Sequence, residues 1–110
     1  MAQELVRLAY ISTLRADVNH SDIETLVADA ALFNKAHDII RVLALDGAHV
    51  CQILEGPKDT IKKLYASIQR DGRHHTVTTI EFRSIAETAF ESWGMAKRNM
   101  VEMVVYALTT

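Results

Sequence analysis

A chain of 110 residues has room for one hydrophobic core and not for two, so a single domain over residues 1–110 is expected. An apolar share of 49%, a charged share of 24% and a net charge of −2 suit an ordinary soluble domain, and they argue against a basic nucleic-acid-binding stripe. No run approaches the roughly eighteen apolar residues of a membrane span, the opening Met-Ala-Gln-Glu-Leu lacks a secretory layout, and the lone Cys51 excludes an internal disulfide; a reducing, cytoplasmic setting is expected.

The first predicted element is a strand over Leu5 to Ile11, with Val6, Leu8 and Tyr10 on one face and Arg7, Ala9 and Ile11 on the other. Ser21-Asp22-Ile23-Glu24 reads as a capping box opening a helix, whose stripe of Ile23, Leu26, Val27, Ala30 and Ala31 repeats at helical spacing. Asn34 falls on that apolar stripe. Two strand-like runs follow, Ile39 to Leu45 and Ala48 to Leu54, joined by the hairpin signal Asp46-Gly47. Gly56-Pro57 ends the second run and suits the start of a helix. That helix runs to about Arg70, with Ile61, Leu64, Tyr65 and Ile68 inward, and Asp71-Gly72 stops it. Thr76 to Ile85 is rich in β-branched residues and predicts a strand. Phe90 to Ala96 predicts a fifth. The tail, Asn99 to Leu108, suits a helix through Met100, Val101, Val104 and Leu108, and a strand through Val104-Val105-Tyr106. The order is β-α-β-β-α-β, an α+β ferredoxin-like sandwich with an added C-terminal strand and a short tail.

Three hydrogen-bonding side chains stand where apolar ones are expected. If Val6, Leu8, Val50 and Leu54 face the helices, then Tyr10 and Gln52 face them too, and Asn34 looks back from the helix stripe. A tyrosine alone reads most simply as core with its hydroxyl at the rim. A mid-strand glutamine has four hydrogen-bonding positions to fill and seldom fills them from protein alone. Together the three favour a site for an aromatic heterocycle bearing several donors and acceptors.

Other candidates have plainer readings. Cys51 is out of phase with Gln52 and reads as a small packing residue on the opposite face. His74 and His75 are adjacent and lack Cys or carboxylate companions at ligand spacing, so no metal site is expected. No phosphate loop, nucleophilic triad or carboxylate pair is present, and the chain is not expected to be an enzyme. The remote enzymatic alternative on this fold is an acylphosphatase-like hydrolase, for which Arg15 lies in about the right loop without a glycine-rich cradle.

The motifs resemble those of one family. Gln52-Ile53-Leu54-Glu55-Gly56 is similar to the Gln-x-Leu-Glu-Gly segment of BLUF domains, and Asp71-Gly72-Arg73-His74 to their Asp-x-Arg-His turn. Phe90-Glu91-Ser92-Trp93-Gly94-Met95 resembles their Phe-x-x-Trp-x-Met signature. Tyr10-Ile11-Ser12 resembles the Tyr-x-Ser ending their first strand, and Asn34 falls at their flavin-binding Asn.

The resemblance implies a blue-light photoreceptor that holds a flavin noncovalently between two helices. FAD is the expected flavin, with FMN and riboflavin as alternatives. It further implies that Tyr10 and Gln52 form the photochemical pair and that Asn34 bonds the ring. Trp93 and Met95 carry the change outward. Arg73 and His74 contact the ribityl or phosphate end, or else cap the second helix.

Three positions depart from the family pattern. Ala30 replaces a hydroxyl residue, Phe33 a polar one, and Arg41 a glycine, bringing a long cation to a small place. Arg41 has two destinations, the sheet's edge or open face, and the pocket. The alternative function is accordingly a flavinless protein-interaction module. Ala9, Ile11, Cys51 and Ile53, with Ile40 and Val42, are expected on the face away from the helices. A residual apolar patch there predicts a homodimer or higher oligomer. A light signal is expected to pass to a separate partner protein.

Overall fold

The computed structural model describes residues 4–18, 39–89, 97–98, 104–105 and 108. The predicted first helix with Ala30, Phe33 and Asn34 lies outside the described residues, as does the predicted strand containing Trp93 and Met95. The elements are β1 (Leu5–Leu14), β2 (Ile40–Asp46), β3 (His49–Pro57), α1 (Lys58–Arg70), β4 (His74–Ile85) and β5 (Lys97–Arg98). They form a five-stranded sheet in the order β4-β1-β3-β2-β5. β3 pairs antiparallel with β1 and β2, and β4 pairs antiparallel with β1. This is the split β-α-β arrangement of the ferredoxin-like fold. The added strand, β5, lies just beyond the predicted Phe90 to Ala96 run and pairs parallel with β2. In the tail, Val104, Val105 and Leu108 are helical.

Local chemistry explains the joins. Asp46 and His49 close the β2–β3 hairpin, and Gly47 has φ +59° at the first central position, as a type II′ turn requires. Pro57 stands at the N-cap of α1, and the backbone N–H of Lys58 donates to the Glu4 carbonyl at 2.9 Å, tying the helix start to the start of β1. Asp59 in the first turn and Arg70 in the last both favour the helix dipole.

The two faces of the sheet have separate cores. On the helix face Val6, Leu8, Tyr10 and Leu54 pack with Ile61, Tyr65 and Ile68 of α1. On the other face Ala9, Val42, Ala44, Cys51 and Ile53 are fully shielded, and Ile40, Ile80, Ala89 and Val104 pack against them. The alternation predicted for β1 and β3 is thus observed. The apolar patch expected on that second face is not, and among the described residues beyond β4 it is Ala89 and Val104 that pack on it. Ile11 alone of the residues expected there stays substantially exposed.

A buried ion pair crosses the second face. Arg7 on β1 and Glu55 on β3 are direct register partners, with Nη2 to Oε2 at 2.9 Å and Nε donating to Oε2 at 3.0 Å. Glu55 Oε1 also accepts from the Ala89 N–H at 2.9 Å, pinning the segment that follows β4.

Candidate functional site

The site lies on the helix face, where three strands bring polar groups under the C-terminal end of α1. Tyr10 and Gln52 are direct cross-strand partners in the β1–β3 ladder, so both side chains leave the sheet on the same side. Arg41 is opposite Leu54, and Gln52 opposite Leu43, which makes Arg41 the diagonal neighbour of Gln52 on that face. All three are buried, with 1%, 4% and 8% exposure for Tyr10, Gln52 and Arg41. They line a cleft open to solvent, with the aliphatic Leu43, Val50 and Ile68 among its walls.

Tyr10 is held by its surroundings. Its ring packs against Tyr65 of α1 at a centroid distance of 5.5 Å and a 38° tilt, and meets the His74 ring edge-on at 6.2 Å. The Tyr65 hydroxyl bonds Thr79 Oγ1 at 2.6 Å. An irregularity in β4 makes this possible: the register passes from Ala9–Glu81 to Tyr10–Thr79, one residue out of step, which turns Thr79 toward the helix. Burial pushes the Tyr10 phenol well above the ordinary tyrosine range, and the nearby Arg41 guanidinium pulls it part of the way back. The hydroxyl therefore keeps its proton at neutral pH.

Arg41 goes to the pocket. Its Nε donates to Gln52 Oε1 at 2.7 Å, a charge-assisted bond between buried groups. Burial lowers the guanidinium from its ordinary value, yet arginine starts so high that it remains a cation. Among the described residues, no acceptor is provided for Gln52 Nε2.

Arg73 and His74 also line the cleft, with polar atoms engaged nearby. Arg73 Nε donates to both carboxylate oxygens of Asp71, at 2.9 and 3.1 Å, and this pairing holds the Asp71 carboxyl below the usual range. His74 Nε2 donates to the Ile68 carbonyl in the last turn of α1 at 2.7 Å, while Nδ1 bonds Ser12 Oγ at 2.8 Å. A carbonyl only accepts, so the proton sits on Nε2. His74 thus caps α1 and joins it to the end of β1. Arg15 points elsewhere, its Nε donating to the Gly72 carbonyl at 2.8 Å. Among the described residues no cluster of metal-ligating side chains is found.

The chemistry of this cleft suits an aromatic heterocycle: aliphatic side chains stand beside polar ones, and the Gln52 amide presents a donor beside a protonated phenol. The described residues therefore suit a flavin edge, with Arg41 occupying space on the β2 side.

Comparison with known proteins agrees. A family profile described as "Sensors of blue-light using FAD" matches residues 5–96. The blue light- and temperature-regulated antirepressor BluF of Escherichia coli (strain K12) is 34% identical over 76 residues, covering 69% of this chain and 19% of that protein. The photoactivated adenylate cyclase subunit beta of Euglena gracilis is 32% identical over 88 residues, covering 80% of this chain and 10% of that one. The chain therefore spans a fifth or less of these curated relatives. Among solved structures, the dark state of the BLUF protein BlrB superposes with a TM-score of 0.82 at 27% identity, covering 98% of this chain and 82% of that one. The ground state of BlsA gives a TM-score of 0.79 at 28% identity, covering 96% and 73%.

Proposed function

The chain belongs to the BLUF family of blue-light sensors that use FAD, and from that membership we propose that Tyr10 and Gln52 are its photochemical pair and that it signals to an effector protein. The observation that carries this reading is the direct opposition of the two side chains across β1 and β3, both buried in one cleft. When bound, the flavin supplies blue-light absorption and an acceptor for an electron and a proton.

The protein's part is to hold and move a hydrogen-bond network. Tyr10 stays protonated because its site is dry, so its Oη holds the proton to be moved. Gln52 carries a donor and an acceptor on one planar group, so its rearrangement rewires the network with no change of net charge. Asn34 is assigned by family resemblance to hold the ring, and Trp93 and Met95 to carry the change outward. Arg73 and His74 support the cleft from its α1 end. Their bonds to Asp71, Ser12 and Ile68 favour shaping that wall over direct cofactor contact.

BluF and the photoactivated cyclases are named for an antirepressor and an adenylate cyclase, so light control of another activity is the role proposed here. Self-association into a homodimer or higher oligomer is part of the same reading, resting on the individually exposed Ile11, Phe82, Val105 and Leu108 and not on the patch first expected. A monomer at high concentration in light-scattering chromatography would exclude it.

The decisive experiment is optical. The purified protein is supplied with FAD, and its visible spectrum is recorded before and after blue light. A structured flavin band that shifts to the red and recovers in darkness supports the sensor. A colourless protein that takes up no FAD overturns it and favours the interaction module.

A further inference from the structure

Arg41 and Gln52 form a pair whose chemistry runs one way. A guanidinium has five N–H donors and no acceptor, whereas a carboxamide has an oxygen at one end and an NH₂ at the other. Only the oxygen can meet Arg41, and the 2.7 Å contact from Nε to Oε1 has that sense. Among the described residues no carboxylate forms an ion pair with Arg41, so the carboxamide oxygen serves a buried cation. The β2–β3 register fixes the two backbones, so the contact is set by the sheet and not by a loop.

We propose that Arg41 is a positioning residue that sets the orientation of the Gln52 carboxamide, holding Oε1 toward β2 and leaving Nε2 as the end offered to the ligand. The proposal rests on the photoreceptor reading of the same site. It also carries a kinetic consequence. Turning the amide over would set NH₂ against the guanidinium, donor facing donor, and would strand a buried cation. The turned form is therefore disfavoured in this chain and reverts quickly. The donor–donor clash is relieved as the amide turns back, so removing the guanidinium should lengthen the lifetime of the light state, by up to about the tenfold that a charged contact is worth.

Two measurements test this. In the flavin-free protein, NMR should find the Arg41 Nε–H protected from exchange with water. That protection should vanish in Gln52→Leu, and the Gln52 side-chain NH₂ signals should move in Arg41→Met. In the FAD-loaded protein, dark recovery after blue light should slow in Arg41→Met and stay nearer the parent rate in Arg41→Lys, which retains a donor. Unprotected Arg41 Nε–H in the parent protein, or an unchanged recovery rate in Arg41→Met, would overturn the proposal. If the parent with FAD shows no light-induced shift, the photoreceptor reading fails by itself, and the flavin-free NMR still decides the positioning. If Arg41→Met does not fold, parent against Gln52→Leu decides it.

Discussion

Gln52 stands between two unlike neighbours: Tyr10 faces it directly across the β1–β3 ladder, while Arg41 reaches its amide oxygen diagonally from β2. One neighbour is a neutral phenol kept protonated by burial, and the other is a permanent cation. The amide is thus polarised from one side only, and the behaviour of the site under substitution follows from that asymmetry.

Tyr10→Phe removes the hydroxyl but keeps the ring packed on Tyr65 and His74. Among the described residues the hydroxyl has no hydrogen-bond partner, so the fold should lose less than the roughly 1 kcal/mol of a typical hydrogen bond. Flavin uptake should persist while the light-induced red shift disappears. Urea unfolding and light-minus-dark spectra on the same sample check both.

Gln52→Leu fills the same volume but leaves the Arg41 guanidinium without its amide partner. The expected loss is about 1–3 kcal/mol, the cost of stranding a buried polar group. The double variant Arg41→Met with Gln52→Leu should regain most of it, because both partners are then apolar. A double-mutant cycle in urea measures the coupling.

Glu55→Ala breaks the buried pair with Arg7 and frees the Ala89 N–H. Removing one partner of a buried ion pair should cost about 3–5 kcal/mol. Glu55→Gln keeps one acceptor oxygen, enough for Arg7 or for the Ala89 N–H but not for both, and should cost less than the alanine. The order of the urea midpoints, parent above Gln above Ala, is the check.

Burial pushes the Cys51 thiol from an ordinary 9.0 up to about 11. The folded state thus keeps a proton that the unfolded chain gives up earlier. The resulting stability is fully present below the ordinary thiol value and is lost as the pH rises from 9.0 to about 11. Urea midpoints across that window should fall less steeply in Cys51→Ala than in the parent. At neutral pH a thiol reagent should modify Cys51 only as fast as the protein opens.

Much of this architecture was legible because its signals are local. Alternating apolar residues mark β1 and β3, Asp46-Gly47 marks the hairpin, and Ile61, Tyr65 and Ile68 mark the inner face of α1. Strand ends were less so. β1 runs on through Ser12, Thr13 and Leu14, which have no apolar pattern, because His49, His74 and His75 supply partners there. The destination of Arg41 needed the β2–β3 register, which composition does not carry. The Arg7–Glu55 pair went unread for the same reason: its only sequence signal is one opposite charge in each of two apolar runs. Asn34, Trp93 and Met95 rest on family resemblance.

The irregular β4 has a consequence for life at high concentration. It is an outermost strand of 12 residues, long enough to recruit a second chain by strand addition. Its register slips twice, Thr76 takes φ 55°, and the Glu81–Arg83 ion pair lies along it. A rim so kinked and charged offers no straight row of free amides and carbonyls to an incoming strand. The irregularity that aims Thr79 at Tyr65 therefore also guards the sheet against growing into a ribbon of many chains.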